Sequence, residues 1–200
     1  MTMKILLGPV IALAAALAFT GPCQSAEVSN RTALIVGVSV YDRPEITELK
    51  GVLEDINSAL VIAKAMGIPE KNTRVLRNEQ ATKAAVLEAL RELGERTADG
   101  ARTFFYFSGH GTRWQDPQAG GCVEALLTYD YKVLTNGEIA NSTKRLTEKA
   151  DKFVTMFDAC HSGGVATKLS LNRSIGNALL TPKFYPKVDS GADSCSVPTN

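Results

Sequence analysis

The apolar positions of this 200-residue chain fall into runs of two periodicities. Thr32 to Val40 is β-branched and apolar, broken by Gly37, and predicts a buried strand. From Leu49 to Met66, apolar residues stand at Leu49, Val52, Leu53, Ile56, Leu60 and Ala63, the spacing of an amphipathic helix. Gly67-Ile68-Pro69 ends it. Thr73 to Leu76 predicts a short second strand. Thr82 to Leu93 repeats the helical spacing through Val86, Leu87, Leu90 and Leu93, with Thr82 as its cap. After an Asp99-Gly100 turn, Arg102 to Phe107 predicts a third strand carrying four consecutive aromatics. Gln115 to Gly121 reads as a polar loop, Ala125 to Tyr131 as a short extended piece, and Ser142 to Lys149 as a polar helix. Phe153 to Phe157 predicts a fourth strand, and no strong strand signal follows Gly164.

Strands alternating with helices imply an α/β domain, a mainly parallel sheet with helices on both faces. Reactive groups in such sheets collect at the carboxyl ends of the strands. Two of the apolar runs end in chemistry. The third strand leads into Ser108-Gly109-His110-Gly111, and the fourth into Asp158-Ala159-Cys160-His161-Ser162-Gly163. A free thiol, with a pKa of about 8.5, is only slightly ionised at neutral pH. An imidazole can take its proton and later return it to a leaving amine. His110 and Cys160 are therefore candidate base and nucleophile of a cysteine hydrolase. Gly109, Gly111 and Gly163 suit turns that aim backbone amides at a developing oxyanion. His161 competes for the base role, but its adjacency to Cys160 turns its side chain elsewhere. Taken singly, a cysteine at a strand end is inert packing more often than a nucleophile.

The first 26 residues change the picture of the chain's ends. One basic side chain, Lys4, precedes an apolar stretch from Ile5 to Phe19, and Ser25-Ala26 offers small residues for cleavage. This layout predicts a secretory signal peptide, and the stretch is shorter than the roughly 20 residues of a spanning helix. An uncleaved anchor and a lipoprotein modified at Cys23 are the alternatives. The predicted organisation is a signal over 1–26, a catalytic domain over 27–165 and a C-terminal tail over 166–200. The product is exported, periplasmic or secreted, with no stable membrane span after signal removal. Removing the signal takes away only Lys4 among the charges, so a formal charge of +1 falls to zero. Such a balance excludes a nucleic-acid-binding surface or a polybasic membrane contact as the organising function. Export also favours disulfides. With Cys160 reserved as a working thiol, Cys122 and Cys195 are the expected pair. The cysteines lack metal-ligand spacing and the chain has two histidines, so no zinc site is expected.

Phe107-Ser108-Gly109-His110-Gly111 and Phe157-Asp158-Ala159-Cys160-His161-Ser162-Gly163 resemble the histidine and cysteine motifs of the caspase-like peptidases, the metacaspase and bacterial branch above all. The likeness begins at Ala33-Leu34-Ile35-Val36-Gly37-Val38, continues through Leu49-Lys50-Gly51-Val52-Leu53-Glu54-Asp55, and takes in Glu124-Ala125-Leu126-Leu127 and Asp130-Tyr131, over about residues 31 to 165. The resemblance implies a three-layer caspase-like fold, His110 as general base, Cys160 as nucleophile, and the amides of Gly111 and Cys160 as oxyanion donors. It also implies an acidic pocket, built from Asp158 and Asp55, that selects Arg or Lys before the scissile bond. Paired carboxylates in a partly dry pocket favour a cation. Without the family, Asp158 reads equally as a turn cap and Asp55 as a polar helix residue.

Two departures matter. Where calcium-activated relatives carry an Asp-Asp-Glu run, this chain has Thr135-Asn136-Gly137-Glu138, and Thr167 stands at a further position that is acidic in such sites. No calcium dependence through this site is expected, and no other cofactor. The tail after Cys160 is also short for a small-subunit region. Lys168, Arg173, Lys183 and Lys187 lie in it as candidate self-cleavage sites. Two function classes follow: an exported endopeptidase acting on peptide or protein substrates after Arg or Lys, or a caspase-fold binding module without turnover. A nucleotide-binding domain is a poor third, since no glycine-rich phosphate loop follows the first strand. Oligomeric state is not legible.

Overall fold

The computed structural model describes residues 29–116, 118 and 121–159. The signal segment, Cys160, His161 and the tail lie outside the described residues. The chain order is β1 (Ser29–Gly37), α1 (Val52–Ala65), β2 (Thr73–Arg77), α2 (Lys83–Arg96), β3 (Thr97–Ser108), β4 (Gly111–Asp116), β5 (Gly121–Leu127), β6 (Val133–Thr135), α3 (Asn136–Lys149) and β7 (Lys152–Asp158).

β2, β1, β3 and β7 form a parallel sheet in that order. The aromatic run of β3 alternates between its faces. Phe105 and Phe107 join Leu34, Val36, Leu90, Leu93 and Leu146 on the side covered by α2 and α3. Phe104 and Tyr106 join Ala33, Ile35, Val52, Ile56 and Ala59 on the side covered by α1. Three layers result, as the sequence predicts. Phe104, Phe105 and Phe107 are fully buried, and each such burial is worth about 1.5–3 kcal/mol.

Local chemistry sets the helix ends. The Thr82 hydroxyl accepts from the Ala85 amide and caps α2 as expected. Glu54 and Asp55 lie in the first turn of α1, the favourable place for acids. α3 starts six residues earlier than the polar pattern predicts. Thr135 and Glu138 form a capping box, each side chain accepting from the other's amide, which offsets the poor helix formers Asn136 and Gly137.

The largest departure lies between Gly111 and Thr135. A second, antiparallel sheet in the order β4-β5-β6 stands there: the expected extended piece supplies the end of β5, the expected polar loop gives only Gln115, Asp116 and Gly121 to strands, and most of β4 and all of β6 fall where no strand is expected. Leu126, Leu127 and Leu134 pack from it into the same core as Phe105 and Phe107. The sheet is moored by short bonds. The Leu127 amide donates to the His110 carbonyl (2.9 Å), the Tyr129 amide to the Ala81 carbonyl (3.1 Å), and the Asp42 amide to the Tyr129 carbonyl (3.0 Å). Cys122 on β5 is disulfide-bonded; Cys195, its expected partner, lies outside the described residues. Among the described residues no helix is long and apolar enough to cross a membrane.

Candidate active site

The carboxyl ends of three strands stand in one row, because Gly37 of β1 registers with Ser108 of β3, and Ser108 with Asp158 of β7. The Gly109 amide extends the ladder by one bond to the Asp158 carbonyl, at 3.4 Å. His110 follows at once, and β4 begins at Gly111, which is buried. The base candidate thus sits at the corner between the two sheets, at the edge where the alternation of strands and helices places reactive groups.

The imidazole of His110 is 2% exposed and held from the β1–α1 connection. Its Nε2 lies 2.9 Å from the Thr47 carbonyl oxygen. A carbonyl only accepts, so Nε2 carries the proton, and in the neutral ring Nδ1 is the basic nitrogen. The backbone amide of His110 donates to the Tyr41 hydroxyl at 2.7 Å, and the two rings pack with centroids 5.2 Å apart. Gly109 is closely packed: a Cβ there would meet the Phe107 ring at 3.0 Å and the Tyr41 hydroxyl at 3.1 Å, tighter than ordinary contact.

The two acids expected in a cation pocket approach each other at the same edge, on the α1 face. Ser108 donates its hydroxyl to Asp55 Oδ2 at 2.7 Å. Asp158 is the strand neighbour of Ser108. Tyr106, two residues before Ser108 on β3, shares this face. Its phenol is pushed well above its ordinary ionisation range by burial and then by the negative charge of Asp158 and of Asp55. Tyr106 therefore stays neutral beside both carboxylates.

Of the residues the sequence nominated, His110, Gly111, Asp55 and Asp158 are gathered at this edge. Cys160 follows Asp158 by two positions and lies outside the described residues. Thr47, Tyr41, Ser108 and Tyr106 were not assigned roles from the sequence. Ser108 stands inside the histidine motif and was open to being found. Tyr41 and Thr47 are loop residues whose contacts reach 69 and 63 positions along the chain. Glu138, in the stretch compared with calcium sites, is engaged by the Lys83 ammonium at 2.6 Å and by Thr135. Among the described residues no cluster of three or more His, Cys, Asp or Glu side chains is arranged to hold a metal ion.

A parallel sheet covered on both faces, with an imidazole and two carboxylates at its carboxyl edge, is the architecture of a caspase-like α/β protein. Residues 31–169 match the family described as metacaspase, peptidase C14 domain, and the chain belongs to that family. It is 27% identical over 152 residues to metacaspase-1B of Aspergillus fumigatus, covering 70% of this chain and 37% of that protein. It is 26% identical over 177 residues to metacaspase-9 of Arabidopsis thaliana, covering 83% of this chain and 53% of the relative. The chain thus spans between a third and just over half of these proteins. Among solved structures, protein GSU0716 from Geobacter sulfurreducens shares the fold with a TM-score of 0.55 at 22% identity, over 68% of this chain and 52% of that one.

Proposed function

We propose that this chain is an exported cysteine endopeptidase that cleaves peptides or proteins after Arg or Lys. The observation that carries the reading is the placement of His110, with a fixed tautomer, at the strand edge where Asp55 and Asp158 also converge. In the proposed reaction His110 Nδ1 removes the Cys160 proton, and the thiolate attacks the carbonyl carbon before the scissile bond. The amides of Gly111 and Cys160 stabilise the oxyanion. The imidazolium, steadied by the Thr47 carbonyl, returns the proton to the leaving amine as the carbon–nitrogen bond breaks. Water, deprotonated by the same imidazole, then hydrolyses the thioester. Asp55 and Asp158 accept the guanidinium or ammonium of the residue before the scissile bond. Calcium has no part in this scheme.

The test uses the purified chain and fluorogenic peptides that present Arg, Lys or Asp before the reporter. Turnover of the Arg and Lys peptides is expected, lost in Cys160→Ala and in His110→Ala, and lowered about 100-fold or more in kcat/KM by Asp55→Asn, a loss typical of breaking a charge-assisted contact to substrate. Turnover that survives Cys160→Ala, or a preference for Asp, refutes the proposal. Binding of basic peptides without turnover points to the other class, a caspase-fold binding module.

A further inference from the structure

Tyr41 is part of neither the dyad nor the acidic pair, yet it touches His110 twice. Its hydroxyl accepts the His110 backbone N–H at 2.7 Å, and its ring packs on the imidazole at 5.2 Å and 38°. Burial holds the phenol well above its ordinary pKa, against a smaller lowering by the His110 amide, so the hydroxyl stays a neutral acceptor. The loop that carries Tyr41 is itself fixed. The amides of Ser39 and Val40 donate to Asn78 Oδ1 (2.9 and 3.4 Å), the Asp42 amide to the Tyr129 carbonyl (3.0 Å), and the Leu49 amide to the Ser39 carbonyl (2.9 Å). Gly109 leaves room beside this bond: a Cβ there would stand 3.1 Å from the Tyr41 hydroxyl.

We propose that Tyr41 is a positioning residue for the reaction, clamping backbone and ring of His110 together so that the imidazole keeps one orientation towards the thiol. The inference rests on the reading of His110 as the base. A base held only by its Nε2–H bond to the Thr47 carbonyl could pivot about that contact. The Tyr41 hydroxyl fixes the second point, and its ring fixes the plane.

Tyr41→Phe keeps the ring and deletes the acceptor. In the full chain, kcat is expected to fall about tenfold or more while KM stays within about twofold, the pattern of lost alignment rather than lost substrate binding. The chain holds two histidines, so His161→Gln leaves His110 as the single reporter in a 15N imidazole spectrum. That spectrum is expected to show in both chains the Nε2–H tautomer that the Thr47 carbonyl sets, with the imidazole resonances sharp when Tyr41 is present and shifted and exchange-broadened in Tyr41→Phe. An unchanged kcat, or a fall in kcat with an unchanged imidazole spectrum, overturns the proposal. Where Tyr41→Phe does not fold, hydrogen exchange of the His110 amide in the unmodified chain decides: strong protection supports the clamp and rapid exchange overturns it. Failure of the underlying reading looks different. The chain would then bind peptides without turnover, or His110→Ala would turn over substrate at the unmodified rate, while the spectrum and amide exchange of the chain that retains His110 still reported the clamp.

Discussion

Gly37 shows how closely the site edge is packed. It ends β1 directly beneath α1, and a Cβ there would stand 2.4 Å from Ile56 Cδ1, 2.7 Å from Ile56 Cγ1 and 3.0 Å from a Val52 methyl. Ile56 and Val52 are buried at 1% exposure, so neither can swing into solvent. Gly37→Ala is expected to destabilise by about 1–3 kcal/mol, the usual range for overpacking. Ile56→Val removes the atom that clashes hardest and should restore part of that loss in the double variant, although alone it costs about 0.5–1.5 kcal/mol. Chemical denaturation of the four chains measures the coupling; strict additivity would show that the contact is absent. The sequence marks Gly37 as a break in an apolar run, but its closest neighbour is nineteen positions away and invisible there. Tyr41 is the same case. The residue types of the dyad and the acids carry their chemistry openly, whereas a tyrosine in a loop announces nothing until the fold brings its hydroxyl to a distant amide.

At the scale of elements, what was legible followed burial on two faces. β1 and β3 read as strands because both their faces meet apolar layers, which gives continuous runs, and β7 reads as one from its apolar run although its residues are only partly buried. β4 and β5 belong to a sheet with polar stretches such as Thr112-Arg113-Trp114-Gln115-Asp116, and the glycines before Cys122 resembled a loop. The start of α3 was hidden for another reason: a capping box outweighed weak propensity. That box makes a pH prediction. Partial burial raises the Glu138 pKa, but the Lys83 ammonium and the Thr135 amide and hydroxyl outweigh it and hold the carboxyl below its ordinary 4.5. A lowered folded pKa means that the unfolded chain binds the proton more readily. The contribution is therefore complete above pH 4.5 and is lost as pH falls through the lower folded value. Glu138→Gln should melt lower than the unmodified chain at neutral pH and lose less on acidification, so the two melting curves converge towards acid. Melting temperatures that stay parallel from neutral pH down to strong acid would contradict this account of the helix end.

The whole molecule poses the question of whether its two sheets are one cooperative unit. They share a core through Leu126, Leu127 and Leu134 against Leu34, Phe105 and Phe107, and Asp130 ties them at the rim. Its Oδ1 accepts from the Lys83 amide, the first of α2, at 2.9 Å and from the Thr128 hydroxyl at 2.8 Å, while Oδ2 pairs with Lys132 at 3.0 Å. One acid thus caps a helix of the parallel layer from the loop of the antiparallel one. The same corner carries His110, whose carbonyl receives the Leu127 amide, so loosening the second sheet would also loosen the base. The chain has a single tryptophan, Trp114, and it lies on β4. Its fluorescence follows the antiparallel sheet, while far-ultraviolet circular dichroism follows mainly the helices. Thermal unfolding should give coincident transitions by the two probes, the mark of a single cooperative step. Asp130→Ala should move both together, by about 1–2 kcal/mol for a lost cap, or very roughly 2–8 °C for a domain of this size. A tryptophan transition that precedes the helical one, in either chain, would mean that the second sheet melts separately and that the shared core does not bind the two layers into one unit.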